Sequence, residues 1–186
     1  MYRKYIKRLL DIIIGSILFI ILLPLILIVA LITLIVLGRP LFNHRKEKEG
    51  MNHKIFTMYK FRTSLPKAHV DDDKILTPVT KILDVTRLNE LPQLINVIKG
   101  DMSLVGPRPF LANDKTLPDM EISEKRYLVR PGITGLFQVR DGTHEDKLKC
   151  DIIYYDNLSF TLDLAIVLLT PIAIFKKIKY AMEKHN

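Results

Sequence analysis

The sequence predicts an α+β protein, mostly α, with one apolar segment set in a membrane. Three observations carry this reading. The 26 residues between Asp11 and Gly38 contain no charge, and at ~1.5 Å of helix per residue such a stretch can cross a bilayer. Residues 41–63 resemble two short alternating strands around a polar turn. Leu91, Leu94, Ile95 and Ile98 follow helical spacing, as one face of a helix requires.

The elements can be taken in chain order. Residues 1–10 are basic and mixed, suited to the interface at the start of the membrane helix. The apolar segment has basic residues on both sides: Arg3, Lys4, Lys7 and Arg8 before it, Arg39, Arg45, Lys46 and Lys48 after it. Such charge tends to stay cytosolic, which is awkward for a simple span. Pro24, near the middle, lacks a backbone donor and clashes with the preceding turn. Two topologies follow: a hairpin-like helix that breaks at Pro24 and leaves by the face it entered, or a kinked single-pass anchor. The stretch is too long for a signal peptide and no small-residue cleavage site closes it. Residues 1–38 therefore form the membrane unit, and 39–186 form one compact domain.

Within that domain the hairpin turns at Glu49 to Asn52, and its second strand alternates Ile55, Thr57 and Tyr59 against Phe56, Met58 and Lys60. Residues 64–80 carry two prolines and three adjacent aspartates, and read as a solvated loop. Asp71, Asp72 and Asp73 are poor metal ligands, because consecutive side chains diverge. A helix starts close to Asn89, since Pro92 is tolerated only in a first turn, and Gly100 is its natural stop. Ser103 to Pro109 is an apolar run into a rigid Pro-Arg-Pro turn. Residues 114–127 are a polar loop with a short helix. Residues 129–139 read as a turn and then an extended segment. The last apolar run, 164–175, is short for a span and is followed at once by lysines. It reads as a helix lying in the interface, with a buried core helix as the alternative.

Composition narrows the function. The chain has 186 residues and a formal net charge of +8. That excess admits nucleic acid, anionic lipid or phosphorylated substrates, and the membrane segment favours the last two. No aromatic-basic nucleic-acid motif is visible. The single cysteine, Cys150, has no partner for an internal disulfide, which fits a reducing compartment. The histidines lack zinc-ligand spacing.

The chemistry concentrates at the start of the helix near Asn89. Unpaired N–H groups and the helix dipole favour a diphosphate there, and Glu90 in the same turn is a candidate ligand for Mg²⁺, which takes oxygen donors. The plainer alternative makes Asn89 an N-cap and Glu90 a first-turn acid. Arg62, Arg108 and Arg130 sit at turns or strand ends, the last two beside prolines. A guanidinium binds phosphate through a planar fork of donors, so the three suggest a phosphate site.

The strings YKFRT, LNELPQLINVIKGDMSLVGPRP, VRPGITGLFQV and DIIYYDNLSFTLDL resemble the bacterial sugar transferases called monotopic phosphoglycosyl transferases, in a minimal, catalytic-domain form. The resemblance runs from the membrane segment to about residue 170. It implies a re-entrant helix broken at Pro24, with amphipathic helices lying in one leaflet. It also implies transfer of a sugar-1-phosphate from a UDP-sugar to undecaprenyl phosphate with release of UMP. That reaction opens capsule, exopolysaccharide or other glycan assembly, at the cytosolic face of the bacterial inner membrane. Downstream glycosyltransferases are candidate partners. The family uses an Asp-Glu pair, the Asp as nucleophile and the Glu as a Mg²⁺ ligand. Here the Asp position is Asn89, and Glu90 keeps its place.

Two further positions depart from the family pattern. Asp84 stands where the family has an arginine, and the Gly-Arg that often follows Gln138 and Val139 is missing. Arg140 or Arg87 is a candidate replacement charge. Asp151 and Asp163 match positions that the resemblance marks as active-site or structural polar residues. Glu90 as nucleophile, direct transfer to the lipid, and a weak or inactive scaffold for glycan-assembly enzymes all fit these departures.

Overall fold

The computed structural model describes residues 1–43, 47–64, 77–111, 124–140 and 146–183. A π-helical turn, Tyr2–Ile6, runs into the long helix α1, Lys7–Leu37, which ends at Gly38 with φ +66°. Pro24 lies inside α1, and the helix is one element rather than two separated at the proline. Lys7, Asp11, Gly15, Ile26, Val29, Thr33 and Leu37 are its buried residues. At 100° per residue they form one stripe along the helix. The remaining surface is exposed Ile and Leu, the mark of a helix covered by lipid on that side. α1 is long and apolar enough to cross a membrane, and the chain is membrane-associated.

The stripe rests on the folded body at both ends of α1. Near its start, Arg8 donates from Nη1 to the Val97 carbonyl at 2.7 Å and from Nη2 to the Ile98 carbonyl at 2.9 Å. Gly15 lets the backbone come close, since a Cβ there would lie 3.2 Å from Val97 Cγ1. Near its end, Ile26 and Val29 pack with Phe61 and Leu83, and Arg62 donates to the carbonyls of Leu37 and Gly38.

The predicted hairpin forms as β1, Glu47–Glu49, antiparallel to β2, Ile55–Thr57. Asn52 and His53 turn it through positive φ. Phe56 is buried between exposed Ile55 and Thr57, the alternation the sequence indicated. The loop read over 64–80 stops earlier than expected. Its end opens helix α2, Pro78–Val85, because Thr77 and Thr80 form a capping box and Pro78 fits the first turn. The aspartates at 71–73 lie outside the described residues.

A 3₁₀ turn, Leu88–Glu90, precedes α3, Gln93–Lys99, and Gly100 caps it at φ +94°. α3 is buried on more sides than its apolar spacing implied, since Gln93, Asn96 and Val97 are covered too. Asn96 continues the hairpin's ladder: it accepts from the Tyr59 amide at 2.9 Å and donates to the Thr57 carbonyl at 2.8 Å.

Next come β3, Ser103–Val105, and β4, Phe110–Leu111, which pairs with β1. β5, Gly132–Thr134, runs parallel to β3. The extended segment expected to residue 139 ends at Thr134, and α4, Leu136–Val139, is a helical turn. Two helices close the fold: α5, Asp146–Asp156, and α6, Phe160–Glu183. α5 carries no clear apolar spacing, which is why the sequence reading missed it. α6 exposes Leu164, Leu168, Ile172 and Phe175, so it presents an apolar face outward as α1 does.

Candidate active site

α2 and the 3₁₀ turn bring positions 84 and 89 together. Arg87 between them adopts φ +62°, which reverses the chain. Asn89 is fully buried. Its Nδ2 donates to Asp84 Oδ1 at 3.0 Å, and its carbonyl accepts from the Phe61 amide at 2.9 Å. It is not a helix cap, because no side-chain capping bond forms at the start of either element. The two unusual residues found by resemblance are thus one contact. An acid at 84 accepts from the amide at 89, and two acids there would repel at hydrogen-bond distance.

Glu90 is the charged centre. Its Oε1 accepts from Lys60 Nζ at 3.1 Å and from Arg87 Nη1 at 3.0 Å. Its side chain is 12% exposed. Burial alone would raise its pKa, but the positive fields of Lys60, Arg87 and Arg108 outweigh burial and hold the carboxyl below its ordinary value. Lys60 also lies 3.6 Å from Asp84. The three cations Lys60, Arg87 and Arg108 therefore face two carboxylates, Asp84 and Glu90, leaving an excess suited to an anion. Lys60 was missed as a site residue, yet the alternation places it on the same face as buried Phe56.

A groove of about 480 Å³ opens beside Glu90. Its walls are apolar residues of α1 and α6, such as Ile14, Leu18, Leu164 and Val167. Arg87, Glu90 and Arg108 line it as well, giving a charged patch at one part of an apolar trough. Tyr2 and Lys7 join α1 to α6 across the groove through Asp163 Oδ2, at 2.6 and 2.7 Å, and Tyr154 donates to Asp163 Oδ1 at 2.7 Å.

The other predicted site residues lie elsewhere. Arg62 turns its guanidinium to the carbonyls that end α1. Arg130 donates from Nε to the Gly100 carbonyl at 2.9 Å. That is the far end of α3, seven residues of helix beyond Glu90, or ~10 Å at 1.5 Å per residue. Arg140 is exposed at the end of α4 and does not line the groove. Asp151 forms a buried ion pair with Arg126, Oδ2 to Nη2 at 3.2 Å. Burial pushes the Asp151 carboxyl up to about 6, against the pull of Arg126 and Lys147.

Among the described residues no cluster of three or more His, Cys, Asp and Glu side chains stands ready as a metal cage. What the site offers a cation is the carboxylate of Glu90, whose recorded hydrogen bonds both fall on Oε1. That donor set fits Mg²⁺ carried in largely by substrate phosphates.

An apolar groove beside a cationic, carboxylate-bearing helix start is the site of a membrane-associated protein. The profile described as bacterial sugar transferase matches residues 2–177, and the chain belongs to that family. It is 40% identical over 142 residues to the uncharacterized sugar transferase EpsL of Bacillus subtilis, covering 72% of this chain and 69% of that one. It is 38% identical over 183 residues to a UDP-glucose:undecaprenyl-phosphate glucose-1-phosphate transferase of Caulobacter vibrioides, covering 88% and 67%. A Klebsiella pneumoniae protein of the same description is 35% identical over 183 residues, and there the match spans only 39% of the relative's length.

Proposed function

We propose that this chain transfers a sugar-1-phosphate from a UDP-sugar to undecaprenyl phosphate, releasing UMP, as the first membrane step of glycan assembly. The observation that carries the reading is the groove between α1 and α6, apolar along its walls and bordered by Arg87, Glu90 and Arg108. A polyprenyl chain suits the walls and its phosphate suits the arginines. The names of the Caulobacter and Klebsiella relatives support the same substrates.

The topology that fits best is re-entrant, with the catalytic side on the cytosolic face of the bacterial inner membrane. Its support is that both ends of α1 meet polar groups of one body, Arg8 with α3 and Arg62 with the last carbonyls of α1. A helix that crossed the bilayer would carry one end away from that body, and a re-entrant course would require the continuous α1 to bend at Pro24.

In this reading Arg108 and Arg87 orient phosphate oxygens, and Glu90 would hold Mg²⁺. The ion, when bound, would offset the charge of the diphosphate and of the departing UMP. Glu90 is a poor nucleophile where it stands, tied by two cations. Asn89 is neutral and bonded to Asp84. The lipid phosphate oxygen would therefore attack the β-phosphorus directly. The bond from that phosphorus to the bridging oxygen breaks, and UMP leaves with the electron pair.

The test is UMP release by the full chain in detergent, with undecaprenyl phosphate and a panel of UDP-sugars. Release is expected for at least one sugar, with no labelled phosphosugar retained on the protein. A retained label would refute direct transfer. No release from the native chain, with release from Asn89→Asp combined with Asp84→Arg, would favour the second reading, an inactive membrane scaffold. The buried, fully enclosed Asn89 is the observation behind that second reading.

A further inference from the structure

The Pro107-Arg108-Pro109 turn is held from two sides. On one side β5 receives it: the Gly132 amide donates to the Pro107 carbonyl at 2.9 Å, and the Gly106 amide donates to the Thr134 carbonyl at 2.9 Å. There is no room for a side chain here, since a Cβ on Gly106 would lie 2.3 Å from the Arg130 carbonyl oxygen. On the other side stands Arg126. Its Nη2 donates to the Arg108 carbonyl at 2.6 Å and lies 3.2 Å from Asp151 Oδ2. Its guanidinium stacks on Phe110, 3.6 Å from the ring centre. The side chains of Arg126 and Asp151 are 3% and 4% exposed. The resemblance singles out Asp151 of this pair, and the groove lining includes neither member.

The two prolines fix their own φ angles and supply no amide hydrogen. Pro109 also confines the preceding Arg108 to extended backbone, and within that range its ψ still sets the tilt of the 108–109 peptide. A donor fixed on the Arg108 carbonyl closes that freedom. The Arg108 side chain, by contrast, makes no hydrogen bond or ion pair among the described residues, while it lines the groove and acts on Glu90. A buried ion pair is a costly way to gain stability, and here its guanidinium ends on a main-chain oxygen of Arg108, whose side chain lines the groove.

We infer that Arg126 and Asp151 are positioning residues that fix Arg108 for phosphate through its main-chain carbonyl. The inference rests on the reading of Arg108 as a phosphate ligand. The phosphate is that of the nucleotide or of the lipid, and two probes separate these: UDP, and undecaprenyl phosphate titrated into nanodiscs carrying the full chain.

The informative variant is the apolar pair Arg126→Met with Asp151→Leu, because replacing both members of a buried pair often leaves stability intact. Arg108→Ala is expected to weaken binding of one probe by ~10–100-fold, the value of a charge-assisted hydrogen bond. The apolar pair should weaken the same probe to a similar degree, with melting within a few degrees of the native chain. The triple variant should bind no worse than Arg108→Ala alone, since residues acting through one group are not additive. A merely structural pair would instead multiply with Arg108→Ala.

Multiplied effects, or native affinity in the apolar pair, would overturn the inference. Should the pair fail to fold, Arg126→Lys takes its place, because a single ammonium cannot hold Asp151 and the carbonyl in the same geometry. Loss of affinity at native melting is then expected, and native affinity would overturn the inference. A native chain that binds neither probe would overturn the proposed function itself, whereas binding unchanged by Arg108→Ala would overturn only the role of Arg108 and its support.

Discussion

The two ends of α3 are built from the same residue types and behave in opposite ways. At its far end Arg8 and Arg130 converge on the carbonyls of Val97, Ile98 and Gly100. Unpaired carbonyls and the negative end of the dipole attract cations there, and those guanidinium donors are committed. At the near end Arg87 shares Glu90 with Lys60, and Arg108 remains without a protein partner among the described residues. An arginine beside a proline is thus a poor guide to anion binding by itself. What decides is the end of the helix it reaches.

Substitutions can test that contrast. The largest expected effect is from Glu90→Gln, which leaves Lys60 and Arg87 facing a neutral group. Removing one member of such a buried set costs on the order of 3 kcal/mol. Both the melting temperature and UMP release should fall, and native melting would break the account of this end. Arg108→Ala comes next, with transferase activity lowered ~10–100-fold, or 1.5–3 kcal/mol, at unchanged melting temperature.

A pH effect of about 1.4 kcal/mol per unit follows from Asp151. Its folded pKa, about 6, lies above the ordinary 3.8. The stability this group contributes is full below the ordinary value and is lost as pH rises through about 6. Between pH 4 and 6 the native chain should therefore lose stability relative to Asp151→Asn, and parallel melting curves would refute the shift. The smallest effect is Arg130→Ala, about 1 kcal/mol of stability, with kcat and KM unchanged. A kinetic defect there would erase the difference between the two ends.

Much of the fold was legible. The hairpin, the stop at Gly100 and the apolar first helix each rest on local rules: alternation, a left-handed glycine and an uncharged run. The start of α2 was also written locally, in Thr77, Pro78 and Thr80, but the neighbouring prolines and aspartates masked it. α5 was not legible, because tertiary contacts hold it. Tyr154, for example, is buried with Val105, Val129 and Ile166.

The candidate site divides in the same way. Glu90 and Arg108 could be singled out from the chain and the structure brings them to one groove. Lys60 and Arg126 could not, since their partners are 30 and 25 residues distant, at Glu90 and Asp151. Arg62 and Arg130 were indistinguishable from Arg108 until their acceptors were known. The contact between Asp84 and Asn89 turns two separate oddities into a single exchange.

The groove is pinned where Lys7 and Tyr2 meet Asp163, while farther along its walls belong to two helices whose outer faces are apolar. Those walls are pressed by whatever surrounds them. On the proposed function, lateral pressure from neighbouring acyl chains would set how wide the trough stands, so acyl length and unsaturation in the host membrane would control how readily a long isoprenoid slides in.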